Sequence, residues 1–95
     1  MSTACVIGHI TVKDAEKWAL YREQVPATLA PWNAELLFRG TLTDVFSGPH
    51  AFADTVVIRF PSLDAMRGWF NSAAYQALIP LREQAADLIL TGYEG

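Results

Sequence analysis

The sequence predicts an α+β fold of four strands and two helical segments in the order β-α-β-β-α-β. Three observations predict it. Runs rich in β-branched and large apolar residues recur at four places along the 95-residue chain. Two stretches of helical period separate them at the required positions. The strand runs are apolar on both faces, as a sheet covered on both sides requires.

The first strand is read over Cys5–Val12, Cys-Val-Ile-Gly-His-Ile-Thr-Val. Lys13-Asp14 ends it, and Asp14 is placed to cap a helix whose first turn carries Glu16, a favourable charge at the positive end of the helix dipole. Trp18, Tyr21 or Arg22, Val25 and Leu29 follow at helical spacing. Pro26 removes a backbone donor within that run, which predicts a break or kink after Val25, and Pro31 closes the segment. A long second strand is predicted from Ala34 to Phe46, with Gly40 as a bulge or a point of close approach.

Ser47–Asp54 holds the turn formers of a hairpin loop, and Thr55–Phe60 reads as the third strand. Pro61 stops that strand. Ser62 offers a cap to a helix containing Ala65, Met66, Trp69 and Phe70, and Ser72 a cap to a further turn with Tyr75 and Leu78. Pro80 opens a last helical piece, Leu81–Ala86, and Leu88–Glu94 is the fourth strand. This order is the split βαβ, or ferredoxin-like, arrangement: a four-stranded antiparallel sheet with helices on one face.

Composition bounds the function. At this length residues 1–95 form one domain with a modest core, yet 52% of them are hydrophobic. Val6-Ile7, Leu36-Leu37-Phe38, Val56-Val57-Ile58 and Leu88-Ile89-Leu90 present apolar side chains to both faces of the sheet. One face meets the helices, and a second copy of the chain is the most economical cover for the other. Seven Lys plus Arg, none adjacent, stand against ten Asp plus Glu, for a net charge of −3. That pattern argues against nucleic acid and against an anionic membrane surface as partners. The single cysteine, Cys5, fits a reducing compartment. Met1–Ala4 lacks the charged start of a leader peptide, and no apolar run approaches the ~20 residues of a membrane span. A cytoplasmic location is the expectation.

Several elements in fixed order resemble a known family. They are Tyr21-Arg22, Phe38-Arg39-Gly40, Phe60-Pro61-Ser62, Ala65-x3-Trp69-Phe70-x-Ser72-x2-Tyr75, Arg82-x3-Ala86 and the terminal Glu94-Gly95. The pattern, spanning Val6 to Gly95, is similar to domain of unknown function 1330. That is a small bacterial family of the dimeric α+β barrel superfamily, which also holds antibiotic biosynthesis monooxygenases and muconolactone isomerases. Where the family often has Gly-Gly before the second strand this chain has Asn33-Ala34, and where it often has a second glycine after Arg-Gly this chain has Thr41. These departures bear on turn geometry, not on fold. The resemblance implies a homodimer whose two sheets pack back to back as a barrel. It implies no activity, since fold alone does not carry one.

Polar residues among apolar strand neighbours are the best local clue to chemistry. Simple alternation puts His9 on one face with Cys5, Ile7 and Thr11. It groups Arg39 with Leu37 and Thr41, and Arg59 with Thr55 and Val57. Were these faces to line a cavity, His9 would be the acid–base candidate and Arg39 and Arg59 the holders of a small anionic or carbonyl-bearing organic ligand. The competing reading pairs the arginines with Glu35, Asp54 or Glu94 and makes His9 a satisfied core residue. Tyr21 and Arg22 would line the mouth of a pocket or serve as core tyrosine and snorkelling arginine, with Arg22 one turn from the Trp18 indole. Trp69 would wall the ligand or pack the second helix, and Arg82 has the same two readings.

No metal or cofactor is expected. Cys5 and His9 share a strand face but stand ~13 Å apart at strand rise, too far to chelate one ion. No glycine-rich phosphate loop or nucleophile elbow is present. Two functions fit the residues: a ligand-binding homodimer with cofactor-independent chemistry, or a non-catalytic assembly module without a ligand site.

Overall fold

The computed structural model describes residues 3–95; Met1 and Ser2, within the stretch read for a leader, lie outside the described residues. Strands β1 (Ala4–Val12), β2 (Glu35–Thr41), β3 (Asp54–Phe60) and β4 (Ala86–Glu94) form one antiparallel sheet in the order β2-β3-β1-β4. Helix α1 (Ala15–Leu29) and a 3₁₀ turn (Ala30–Trp32) connect β1 to β2, and α2 (Leu63–Asn71), α3 (Ala73–Gln76) and α4 (Ile79–Ala85) connect β3 to β4. The fold is ferredoxin-like. Among the described residues no helix is long and apolar enough to cross a membrane.

Alternation along β1 sets the two sides of the sheet. Ala4, Val6 and Ile10 are buried beneath the helices, while Cys5, Ile7, His9 and Thr11 on the opposite, open side are half-buried. The core lies on the helix side, where Phe60, Trp69 and Tyr75 are fully buried. Their rings interlock: Trp69 lies 4.2 Å from Tyr75 and 5.4 Å from Phe60, centroid to centroid. On the open side Ile7 pairs with Val57 and Thr91, Val57 with Phe38, and Cys5 with Tyr93. Phe38, Ile89 and Tyr93 there are 57%, 46% and 55% exposed, so this face of the sheet is apolar yet uncovered within one chain.

The three expected helix caps are present. Asp14 accepts from the Lys17 backbone N–H at 3.1 Å, Ser62 from Ala65 at 3.0 Å and Ser72 from Tyr75 at 3.2 Å. The break after Val25 does not occur. Helix α1 runs through Pro26 to Leu29, the Ala30 N–H bonds back to the Pro26 carbonyl, and Thr28 donates its hydroxyl to the Val25 carbonyl at 2.7 Å. Burial of Thr28 and Leu29 offsets the missing bond, which lies only one turn from the helix end. Asn33 takes the left-handed conformation (φ 54°) at the turn where the family often has glycine.

Strand β2 stops at Thr41, well short of Phe46. A strand needs a partner, and β3 begins only at Asp54, because the chain from Leu42 to Ala53 forms a loop that includes Gly48 (φ 81°) and Pro49. Two main-chain bonds pin that loop's ends, Leu42 N–H to Ala53 O (2.7 Å) and Ala53 N–H to Ile10 O (3.1 Å). Conversely β4 begins at Ala86, two residues earlier than expected, since β1 supplies partners all the way to Val12↔Ala86. The Ala85 carbonyl ending α4 accepts from both Lys13 and Asp14.

Candidate functional site

A cavity of about 450 Å³ lies between α1 and the helix side of the sheet. Its floor is Ile10, Val56, Ile58, Leu88 and Leu90 from three adjacent strands; Tyr21, Val25 and Leu29 of α1 form one wall and Trp69 of α2 its end. Trp18 stacks on Tyr21 (5.1 Å between centroids, 23° between planes), so the indole is covered by the tyrosine ring three residues on, not by Arg22. The Trp69 indole N–H donates to Thr28 Oγ1 at 3.0 Å, leaving its ring as an apolar surface. The volume falls within the roughly 300–1,000 Å³ usual for small-molecule sites.

Two arginines stand where the cavity meets solvent, Arg22 from α1 and Arg39 from β2; both line it and both remain exposed. Neither makes an ion pair or a hydrogen bond to another side chain among the described residues. Asp54, on the same side of the sheet, lines the cavity without pairing to either. Burial, and then the neighbouring positive charge of Arg22, push the Arg39 pKa down. Two guanidinium groups without an ion-pair partner among the described residues, against the single carboxylate of Asp54, leave the cavity with an excess of positive charge that favours an anion.

A bulge puts Arg39 there. The register between β2 and β3 runs Glu35↔Arg59 and Leu36↔Ile58, then resumes at Phe38↔Val57 and Arg39↔Val56, leaving Leu37 as the extra residue. Simple alternation places Arg39 on the side of Glu35, the open one. The bulge reverses the alternation, so Phe38 and Gly40 take the open side while Arg39 and Thr41 take the helix side. Arg39 is therefore on the helix side and not on the open side that simple alternation gives it, and its grouping with Thr41 stands. Gly40 is a point of close approach: the Phe38 ring edge lies 2.7 Å from where a Cβ would be.

The structure separates the remaining candidates. Arg59 is on the open side, bound to Glu35 at 2.8 Å in an exposed ion pair. His9 is also on that side, its ring edge-on to His50 (5.2 Å, 79°) and near Phe52 (6.3 Å), with Nδ1 buried and unpartnered. Neither lines the cavity. Arg82 donates to the Tyr75 hydroxyl at 2.9 Å, and Tyr75 and Tyr21 are joined by a 2.7 Å bond between their hydroxyl oxygens. Asp54, which lines the cavity, and Thr28, which holds the Trp69 indole from outside the lining, are not among the residues the sequence singles out for the site. Thr28 lies one turn beyond Val25 on the buried side of α1, which is the signal that could have found it. No group of three or more His, Cys, Asp or Glu side chains among the described residues is placed to hold a metal ion.

Fold and cavity together define a small ferredoxin-like α+β protein with a pocket between its long helix and its sheet. The chain belongs to the family described as domain of unknown function (DUF1330), whose model matches residues 3–95. No curated relative matches the sequence. Among solved structures it is similar to a protein of unknown function from Rhodopseudomonas palustris, at TM-score 0.81 and 14% identity, covering 97% of this chain and 81% of that one. It is also similar to SnoaB, a cofactor-independent oxygenase from Streptomyces nogalater, at TM-score 0.68 and 10% identity, covering 98% and 92%. A third is a dimeric ferredoxin-like protein of unknown function from Thermobifida fusca, at TM-score 0.62 and 12% identity, covering 97% and 90%.

Proposed function

We propose that this protein is a cytoplasmic homodimer that binds a small organic acid in the cavity between α1 and the sheet, and acts on it without a cofactor. The Arg22–Arg39 couple, without an ion pair among the described residues and at the mouth of a mostly apolar cavity, carries this reading. A carboxylate between the guanidinium groups relieves their mutual repulsion and supplies the counter-ion each lacks. The planar apolar body of such an acid would lie against Trp69 and Leu29. SnoaB gives an example of this fold carrying cofactor-independent oxygenase chemistry. The uncovered apolar side of the sheet supports self-association, and dimers are described among proteins of similar fold. Under this reading Arg59 and His9 belong to the dimer face, not to the ligand.

The test compares naphthoate with naphthamide, which share a shape and differ in charge, by following tryptophan fluorescence on titration. Saturable binding of the acid with little binding of the amide is the expected result. Equal binding of both, or of neither, refutes an anion site and leaves the assembly module as the better account.

A further inference from the structure

Counting protons in the Arg82–Tyr75–Tyr21 chain gives the polarity of the cavity wall. The Arg82 N–H donates to the Tyr75 oxygen, and the two hydroxyls share one bond, so two hydroxyl protons meet a single tyrosine–tyrosine link. One proton is left over. If Tyr21 donates to Tyr75, the spare proton sits on Tyr75, which is 0% exposed and has no acceptor left among the described residues. Stranding a buried donor costs about 1–3 kcal/mol. If Tyr75 donates to Tyr21, the spare proton sits on Tyr21, whose side chain walls the cavity. The second arrangement satisfies Tyr75 completely and leaves the free O–H on Tyr21, the tyrosine of the pair that lines the cavity.

We propose that Tyr21 is the hydrogen-bond donor that reads a carbonyl or similar acceptor oxygen on the bound organic acid, with Tyr75 as the positioning residue that orients it. The inference rests on the cavity reading above and narrows its ligand class to acids carrying a second, neutral oxygen acceptor. Arg82 enhances the chain by polarising Tyr75, since a charged donor at one end strengthens the bonds that follow. Burial, and after it the electrostatic effect of the neighbouring Tyr75, hold the Tyr21 pKa above the ordinary phenol range, which keeps the proton in place at neutral pH. Tyr21 therefore acts as a donor and not as a base.

The experiment uses ring isomers of acetyl-naphthoate, which carry a ketone, and isopropyl-naphthoates of the same shape, which do not. The wild-type protein is expected to bind at least one ketone acid more tightly than its counterpart. Tyr21→Phe should remove that preference, with the ketone acids losing roughly two- to twelvefold more affinity than the isopropyl acids, the worth of one neutral hydrogen bond. The carbonyl stretch of the bound ketone supplies a readout that a merely structural role would not move. It should lie at lower frequency in the wild type than in Tyr21→Phe, and Tyr75→Phe, which frees the Tyr21 hydroxyl to turn, should give a smaller and broader shift. An equal loss for both series, or an identical carbonyl frequency in wild type and Tyr21→Phe, overturns the proposal while the cavity reading stands. Failure of both series to bind the wild type overturns the two together.

Discussion

Arg39→Met separates binding from folding. Methionine keeps most of the unbranched stem and removes the charge. In the free protein Arg39 has Arg22 nearby, no ion-pair partner among the described residues, and a pKa lowered by burial and by Arg22, so its charge gains nothing from its surroundings. Because the group is exposed and screened, unfolding by denaturant should change by no more than about 0.5 kcal/mol, and towards greater stability. Binding should respond in the opposite sense. A charged hydrogen-bond donor to a carboxylate contributes about 1.5–3 kcal/mol, so naphthoate affinity should fall roughly 10- to 150-fold. Salt provides an internal control: raising ionic strength should weaken naphthoate binding more in the wild type than in the variant. A variant that loses more than about 1 kcal/mol of stability and binds naphthoate as before would show Arg39 to be a structural group.

On the open side, Val57→Lys places a charge at the centre of the apolar surface; light scattering should report a dimer for the wild type and a monomer for the variant, and a wild type at the 10.5 kDa of one chain would remove the partner altogether. Gly68→Ala should cost about 1–3 kcal/mol in thermal or denaturant unfolding, because the new methyl would lie 2.5 Å from the Trp32 ring; an unchanged midpoint would mean that the indole moves aside freely. Glu35→Gln breaks an ion pair whose side chains are 47% and 58% exposed, so stability should change by less than about 1 kcal/mol, and a larger loss would show that the pair is buried in the assembly. For Tyr21 the folded pKa is raised, so its contribution to stability is complete below the ordinary phenol value of 10.0 and declines as pH rises above it, where the unfolded chain releases the proton first. Tyr21→Phe should flatten that alkaline decline, measured as unfolding free energy against pH, and an unaltered slope would place its cause elsewhere.

Local chemistry made most of the fold legible. Asp14, Ser62 and Ser72 are capping residues next to apolar periodic runs, and each caps the helix that it precedes. The doubled apolar faces of the strands were equally readable, and they correspond to one buried and one uncovered side of the sheet. What escaped depends on partners distant in sequence. How far β2 and β4 extend is decided by where β3 and β1 offer backbone to pair with, not by the propensity of residues 42–46 or 86–87. The missing donor of Pro26 points to a break, whereas the last turn of α1 is held by Leu29 in the core and by Thr28 bonded to the Val25 carbonyl and the Trp69 indole. The site was half visible. Tyr21, Arg22, Arg39 and Trp69 were all nominated and all line the cavity. Their separation from His9 and Arg59 could not be read, because periodicity carries no record of an inserted residue. The bond joining Tyr21 to Tyr75 spans 54 positions and leaves no local trace.

The extra residue at Leu37 has a consequence for how such a protein changes over time. Substitutions alter what a side chain is, whereas a one-residue insertion or deletion alters which compartment of the molecule the later side chains of a strand serve, unless a bulge takes it up. Deleting Leu37 would remove the bulge and leave Leu36↔Ile58, Phe38↔Val57 and Arg39↔Val56 paired as before, so Arg39 would keep the cavity and Phe38 the open side. Because β2 has a neighbour on one side only, the lesion would disturb one ladder and leave β1 and β4 intact. Among descendants of a common ancestor the bulge could then come and go, in steps the length of one codon, without disturbing either the cavity or the open face.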